Sequence, residues 1–373
     1  MHIRFLLMLS LISFSSTAQN FNLFVGTYTN SGSKGIYVYR FNAATGKARL
    51  VSNTDNAANP SYLALSPDKR FLYVVNETNG DNPGKVSAYA FNKNTGKLKF
   101  INQQLTGGDD PCYITVHKNN RWVLVANYSG GSASVFGLNA NGSLKPYAQL
   151  MQDSGKSVNA ARQDKAHVHS TIFSPDQDFV FTPDLGMDKI MVYKFNPAAK
   201  RPLQPSIPSF VQSEPGSGPR HLTFHPNKRF AYVIEELSGM VSAYKYNNGK
   251  LTSIQRLAAH PAGYTGEIGS ADIHVSPDGK FLYASNRGEE NTITIFAVNA
   301  STGRLSLKGY QSTLGEAPRN FIIDPTGNYL IAANQQTNNI VIFKRNKQTG
   351  MLTATGEQIK VPKPVCLQMS TIQ

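Results

Sequence analysis

The 373 residues carry 37 Lys+Arg against 23 Asp+Glu, a formal charge of +14, with 40% hydrophobic residues, 30 Gly and 20 Pro. That hydrophobic share suffices for a packed core, and the Gly and Pro content suits an all-β protein with many hairpins. The basic residues stand singly or in pairs, as at Lys69-Arg70 and Lys228-Arg229, with no run of five, so the charge reads as a dispersed solvated surface and not as a nucleic-acid-binding patch.

At the start of the chain, His2 and Arg4 precede an apolar stretch from Phe5 to Phe14 broken by Ser10 and Ser13, and Ser16-Thr17-Ala18 offers small residues for cleavage. This pattern predicts a signal peptide over residues 1–18 and an exported chain, periplasmic or secreted, from residue 19. The apolar run is about half the roughly 20 residues a bilayer span needs, and no later stretch is long enough, so no membrane segment is expected. Cys112 and Cys366 are too few for a disulfide framework and read as small buried apolar residues.

Next comes a strand-like segment, Leu23 to Tyr28, followed by Ile36–Phe41 and Lys47–Ser52. From residue 66 a longer unit repeats. Ser66-Pro-Asp-Lys-Arg-Phe-Leu-Tyr-Val-Val-Asn-Glu77 returns around Pro175, Pro226, Pro277 and Pro325, and His117 to Tyr128 is a copy with Lys118 in place of the proline. Successive copies lie 48 to 57 residues apart, a period that with short strands signals a β-propeller. Each repeat resolves into strands A to D. Strand A precedes the Ser-Pro-Asp turn, B follows it, C is the Val86 to Phe91 type, and D follows an Asn-Thr-Gly-Lys turn. Six A strands start near Pro60, Pro111, Ala166, Pro219, Ala271 and Pro318. A seventh stands alone at Lys363 to Gln368, and the N-terminal segment has B, C and D without an A. The two complete each other, which closes the ring and removes open sheet edges. The expectation is an all-β, seven-bladed propeller of four-stranded blades over residues 19–373, with an insertion near 150–165 and no indication of oligomeric state.

In such a ring the start of A and the end of B share one end of the channel. Converging there are His167, His169, Arg220, His221, Asp272, Arg319 and Asn320 from A strands. From B ends come Asn76, Glu77, Asn127, Tyr128, Asp184, Glu236, Arg287 and Gln335. Arginines, histidines and carboxylates together suit anion binding and proton transfer, although each alone also reads as a salt-bridge partner. His167 and His169, two apart, face one side of a strand. Without a Cys–His cluster or an acidic cage, neither a metal site nor a cofactor is expected. His117 and His225 fall at the opposite end as structural groups, His260 reads as exposed, and Glu235 alternates away from Glu236.

The strings Gly26-Thr-Tyr-Thr29, Asn127-Tyr-Ser-Gly-Gly131, His167-Val-His169, Gly218-Pro-Arg-His221, Glu236-Leu237, Ser285-Asn-Arg-Gly288 and Pro318-Arg-Asn320 resemble the lactonase family of seven-bladed propellers. That family includes propeller-type 6-phosphogluconolactonase and carboxy-muconate cyclase. The resemblance spans residues 21–370 and implies a catalytic set of one histidine of the His167/His169 pair, Arg220, Glu236 and Arg287. Asn127, Tyr128, His221, Asp272, Arg319, Asn320 and Gln335 are then expected to bind substrate. The implied activity is metal-independent hydrolysis of a sugar-acid lactone, with two alternatives open: a muconate-type cyclase and a non-catalytic propeller that binds carbohydrate or protein. An anionic lactone is the expected partner. Phosphogluconolactonases of this type work in the cytoplasm, so the export signal leaves the lactone's phosphorylation open.

Overall fold

The computed structural model describes residues 19–55 and 57–372; the signal peptide expected over residues 1–18 lies outside them. Seven four-stranded antiparallel sheets form the ring. Blade 1 pairs the closing strand Pro364–Thr371 with Asn20–Thr27, Ile36–Asn42 and Lys47–Thr54. The inner strands of blades 2 to 7 are Tyr62–Leu65, Pro111–Val116, Ile172–Phe173, Pro219–Phe224, Ser270–Val275 and Pro318–Ile323. The expected fold and its closure by the C-terminal strand are both observed.

The repeated turn explains itself locally. The Ser66 hydroxyl accepts from the Phe71 amide (2.9 Å) and donates to Asp68 (2.6 Å), while Lys69 takes φ 58°. Ser174, Ser276 and Asp324 accept in the same way from the Phe179, Phe281 and Tyr329 amides. In several blades the aromatic that follows the turn receives the glycine of a neighbouring blade's Asn-Thr-Gly-type turn. Gly142 sits on Phe71, Gly303 on Phe230 and Gly350 on Phe281, with φ between 74° and 83° and room for no Cβ, which would lie 2.3 Å from the ring. The turn glycines are thus required twice, by the left-handed backbone and by blade-to-blade packing. Apolar clusters bridge adjacent blades; one joins Tyr329, Ile331 and Ile342 of blade 7 to Phe21, Leu23 and Leu367 of blade 1.

The inner strands share an irregularity that aims side chains into the channel. Pairing slips by one residue between Pro111 and Tyr113, between Pro219 and His221, and between Pro318 and Asn320. Such a bulge turns the extra residue out of the alternating pattern, and the extra residues are Cys112, Arg220 and Arg319. Blade 4 departs from expectation. Its inner strand is reduced to a bridge at Val168↔Asp184 and the two residues Ile172–Phe173. His169 N–H donates to the Pro183 carbonyl (2.9 Å), but Pro183 has no N–H to return, so the ladder breaks where the histidine pair stands.

Candidate active site

The residue just past each second strand reaches one end of the channel. Tyr28, Glu77, Tyr128, Glu236, Arg287 and Gln335 occupy this position in six blades and line a cavity of about 510 Å³. Blade 4 has the buried Leu185 there. The bulged inner strands add Cys112 and Arg319, the broken one adds His169, and the segment after Gln152 adds Arg162.

Glu236 is the centre of charge. Its Oε2 accepts from Arg220 Nε (2.7 Å) and pairs with Arg287 Nη2 (3.1 Å), and its Oε1 accepts from Arg162 Nη2 (2.6 Å). Burial pushes this carboxyl upward, but Arg287, Arg220 and Arg162 override it and hold the group well below the usual glutamate range. Arg287 is itself pushed down to about 10 by burial, against the pull of Glu236; a guanidinium stays charged there at neutral pH. Arg220, 1% exposed, lies behind Glu236 and outside the cavity lining, with Nη1 facing His221 Nε2 (3.2 Å) and the Ala271 carbonyl (2.5 Å).

The two histidines of the pair part company. His169 lines the cavity, with Nε2 4.0 Å from Glu236 Oε2 and Nδ1 3.8 Å from Cys112 Sγ. Burial and Arg220 hold its imidazole well below the ordinary histidine range, so it is uncharged at neutral pH. His167 turns aside, stacked on Tyr128 at 4.5 Å, with its ring nitrogens on the Tyr128 carbonyl (3.1 Å) and Asp164 (3.3 Å).

A second group lies beneath the cavity. His221 Nδ1 meets Asp272 Oδ1 at 2.8 Å, and Asp272 Oδ2 meets His274 Nε2 at 2.9 Å and Asn320 Nδ2 at 2.5 Å. Burial and Arg220 bring His221 down to about 4, against Asp272, which fits a neutral ring that donates to Asp272 and accepts from Arg220. Asn320 Oδ1 also accepts from the Leu367 amide of the closing strand (2.7 Å). Asn127, fully buried, donates to the Ser132 and Ser134 hydroxyls (3.0 and 2.9 Å). The structure therefore does not bring Asn127, His221, Asp272 or Asn320 to the cavity lining.

Across the cavity, Arg319 lies 3.8 Å from Glu77 Oε2 and over the Tyr28 ring at 5.6 Å. The Tyr28 hydroxyl donates to Glu77 Oε1 (2.8 Å). Burial disfavours the Arg319 cation, but Tyr28 and Glu77 outweigh it and raise the group above an ordinary arginine. Although only 17% exposed, the Arg319 side chain makes no hydrogen bond of normal length to the described residues.

A family model described as "Lactonase, 7-bladed beta-propeller" matches residues 22–369. The chain belongs to this lactonase family. Among its lactonase relatives, a Formosa agariphila protein named 6-phosphogluconolactonase is 42% identical, covering 94% of this chain and 99% of its own. A Bacillus subtilis 6-phosphogluconolactonase is 39% identical over 92% of this chain and 97% of its own. The solved structure of a Pseudomonas aeruginosa periplasmic gluconolactonase superposes with a TM-score of 0.89 at 40% identity, covering 95% of this chain and all of the other.

Tyr28, Arg162 and Cys112 line the cavity and escaped the sequence-derived rim, which held Glu77 without a substrate role. Tyr28 and Glu77 hold the same repeat position as Glu236 and Arg287, a signal present in the alignment of repeats. Arg162 lies in the insertion, which repeats nowhere, and Cys112 was read only as apolar filling; it is buried and free, as is Cys366. His260 is a correction. It is buried, pairs with Glu290, stacks on Tyr264 at 5.0 Å and has Nε2 3.3 Å from the Ser270 hydroxyl. The strand pairing that fixes Ser270 opposite Asn286 folds its loop inward. His225 and His117 sit as expected, His225 on the Gly279 carbonyl (2.8 Å) and His117 against Phe173. Glu235 turns away from Glu236 to Arg256 (2.7 Å) and Ser242 (2.7 Å).

Proposed function

We propose that this chain hydrolyses a sugar-acid lactone that carries an anionic group, with His169, Glu236, Arg287 and Arg319 as the working residues. The observation that carries the reading is an uncharged imidazole 4.0 Å from an ionised carboxylate, in a cavity whose other charged walls are Arg162, Arg287 and Arg319 against Glu77 and Glu267. The gap between His169 Nε2 and Glu236 Oε2 admits a water held by both. Three arginines hold Glu236 ionised, and the neutral imidazole of His169 serves as the base. It takes the proton as the water attacks the carbonyl carbon, and Glu236 stabilises the imidazolium that forms. Arg287 faces the developing oxyanion. The imidazolium then protonates the ring oxygen as the ring C–O bond breaks. Arg319, with its fork of donors free, is suited to grip a carboxylate or phosphate. Arg220, His221 and Asp272 act from behind by fixing Glu236.

Export belongs to the same proposal. The pattern of residues 1–18 supports it, and so does a relative named as periplasmic. The relatives' names point to one sugar-acid ring with and without phosphate. The test is opening of glucono-δ-lactone and 6-phosphoglucono-δ-lactone by the chain from Gln19, measured above the spontaneous rate, beside His169→Gln and the intact mass of secreted material. Opening by the parent and its loss in a normally melting His169→Gln variant are expected. A parent that opens neither lactone leaves the binding-platform reading in its place.

A further inference from the structure

Arg162 differs from the other two arginines on Glu236. Arg220 is buried and backed by His221 and the Ala271 carbonyl, and Arg287 is tied by Nε to the Gly269 carbonyl (2.9 Å). Arg162 keeps 44% of its side chain exposed and holds on through Nη2 alone, to Glu236 Oε1 (2.6 Å) and the Tyr128 hydroxyl (3.2 Å). Its Nε and Nη1, which carry three N–H bonds between them, meet no acceptor among the described residues. The backbone beneath is pinned. Gln163 is fully buried and donates to the Leu185 carbonyl (2.8 Å), and the Ser157 hydroxyl donates to Asp188 (2.6 Å). The side chain is thus held at its tip alone, above a segment that is fixed in place.

We propose that Arg162 is a further catalytic residue, an arginine that Glu236 surrenders to the charge born in the reaction; this rests on the lactonase reading above. As water adds to the carbonyl carbon, one O–H bond breaks, its proton goes to His169, and the carbonyl π pair moves onto oxygen. Two opposite charges appear at once. Swinging Arg162 from Glu236 Oε1 to the oxyanion sets a cation on the first and uncovers carboxylate charge for the imidazolium. Arg220, anchored behind Glu236, cannot follow, and Arg287 faces the oxyanion without leaving the Gly269 carbonyl. On collapse the ring C–O bond breaks, the imidazolium proton goes to the ring oxygen, and the acid formed ionises into solvent and stays paired with Arg162. Departure of the product returns Arg162 to Glu236.

The test compares the parent with Arg162→Gln and Arg162→Lys on the same two lactones, beside melting curves and titration calorimetry with gluconate and 6-phosphogluconate. Arg162→Gln is expected to lower kcat about 100-fold with little change in KM, the signature of an interaction made in the transition state. Arg162→Lys should recover part of the rate, since it keeps the charge and loses the fork. Binding of the acid products to Arg162→Gln should weaken by about tenfold or more. A folded Arg162→Gln variant with kcat within about twofold of the parent, or with a change in KM alone, overturns the role of Arg162 and leaves the lactonase reading standing. A parent that opens neither lactone fails that reading, and this role falls with it.

Discussion

Glu236→Gln probes the electrostatic design of the site, because the change is nearly isosteric, removes the charge and turns one acceptor oxygen into a donor. In the parent, one carboxylate compensates Arg220, Arg287 and Arg162 at 2.7, 3.1 and 2.6 Å. The amide would leave three guanidiniums facing each other, one of them almost fully buried. Breaking a buried pair costs roughly 3–5 kcal/mol. Arg287 and Arg162 retain some access to water, which screens part of the repulsion and places the expected loss near the lower end, about 3 kcal/mol. The sign with pH follows from the direction of the shift. Glu236 is held below an ordinary glutamate, so its contribution is complete above the unfolded value of about 4.3 and fades as pH falls toward the folded one. Urea unfolding of parent and variant at pH 7 and near pH 4 measures this. The difference should be full at pH 7 and should begin to shrink below about pH 4.3. A variant as stable as its parent at pH 7 would refute the claim that Glu236 neutralises the cluster.

Deleting residues 363–373 removes the inner strand of blade 1, including the Leu367–Asn320 bond; the expected result is loss of the cooperative melting transition of the whole ring, and a truncated chain that melts like the parent contradicts closure. Asn320→Ala should destabilise by about 1–3 kcal/mol in urea unfolding, since it strands the buried Leu367 amide and one bond to Asp272; an unchanged midpoint would show that the strand closes without it. His169 and His221 are held below the ordinary histidine range by burial and Arg220, so both rings should stay uncharged in the folded chain as pH falls through about 6.5, read from the ring protons in an NMR pH titration. A ring that takes up its proton near pH 6.5 would speak against neutral folded imidazoles.

The ring and much of its rim were legible in the residues themselves. A period near 50, Ser-Pro-Asp turns and Asn-Thr-Gly turns are local signals, each fixed by backbone geometry within a few residues. The orphan strand at Lys363 to Gln368 matched a blade that lacked one, so closure followed from counting. Repeat position also brought Glu236, Arg287, Tyr128 and Gln335 to one end of the channel. Which polar residues face the cavity and which support it was decided by tertiary structure. Arg220 and His221 are neighbours in sequence at a one-residue bulge, and a single slip in register reverses which side a side chain takes. His167 and His169 share a strand face by spacing, yet Pro183 breaks the ladder beside them and only His169 reaches the cavity. Arg162 lies in a segment without a repeat partner, so no periodicity could place it. Its position beside Glu236 exists only once residues 74 apart in sequence are folded together, because a charge network is a property of distances in space.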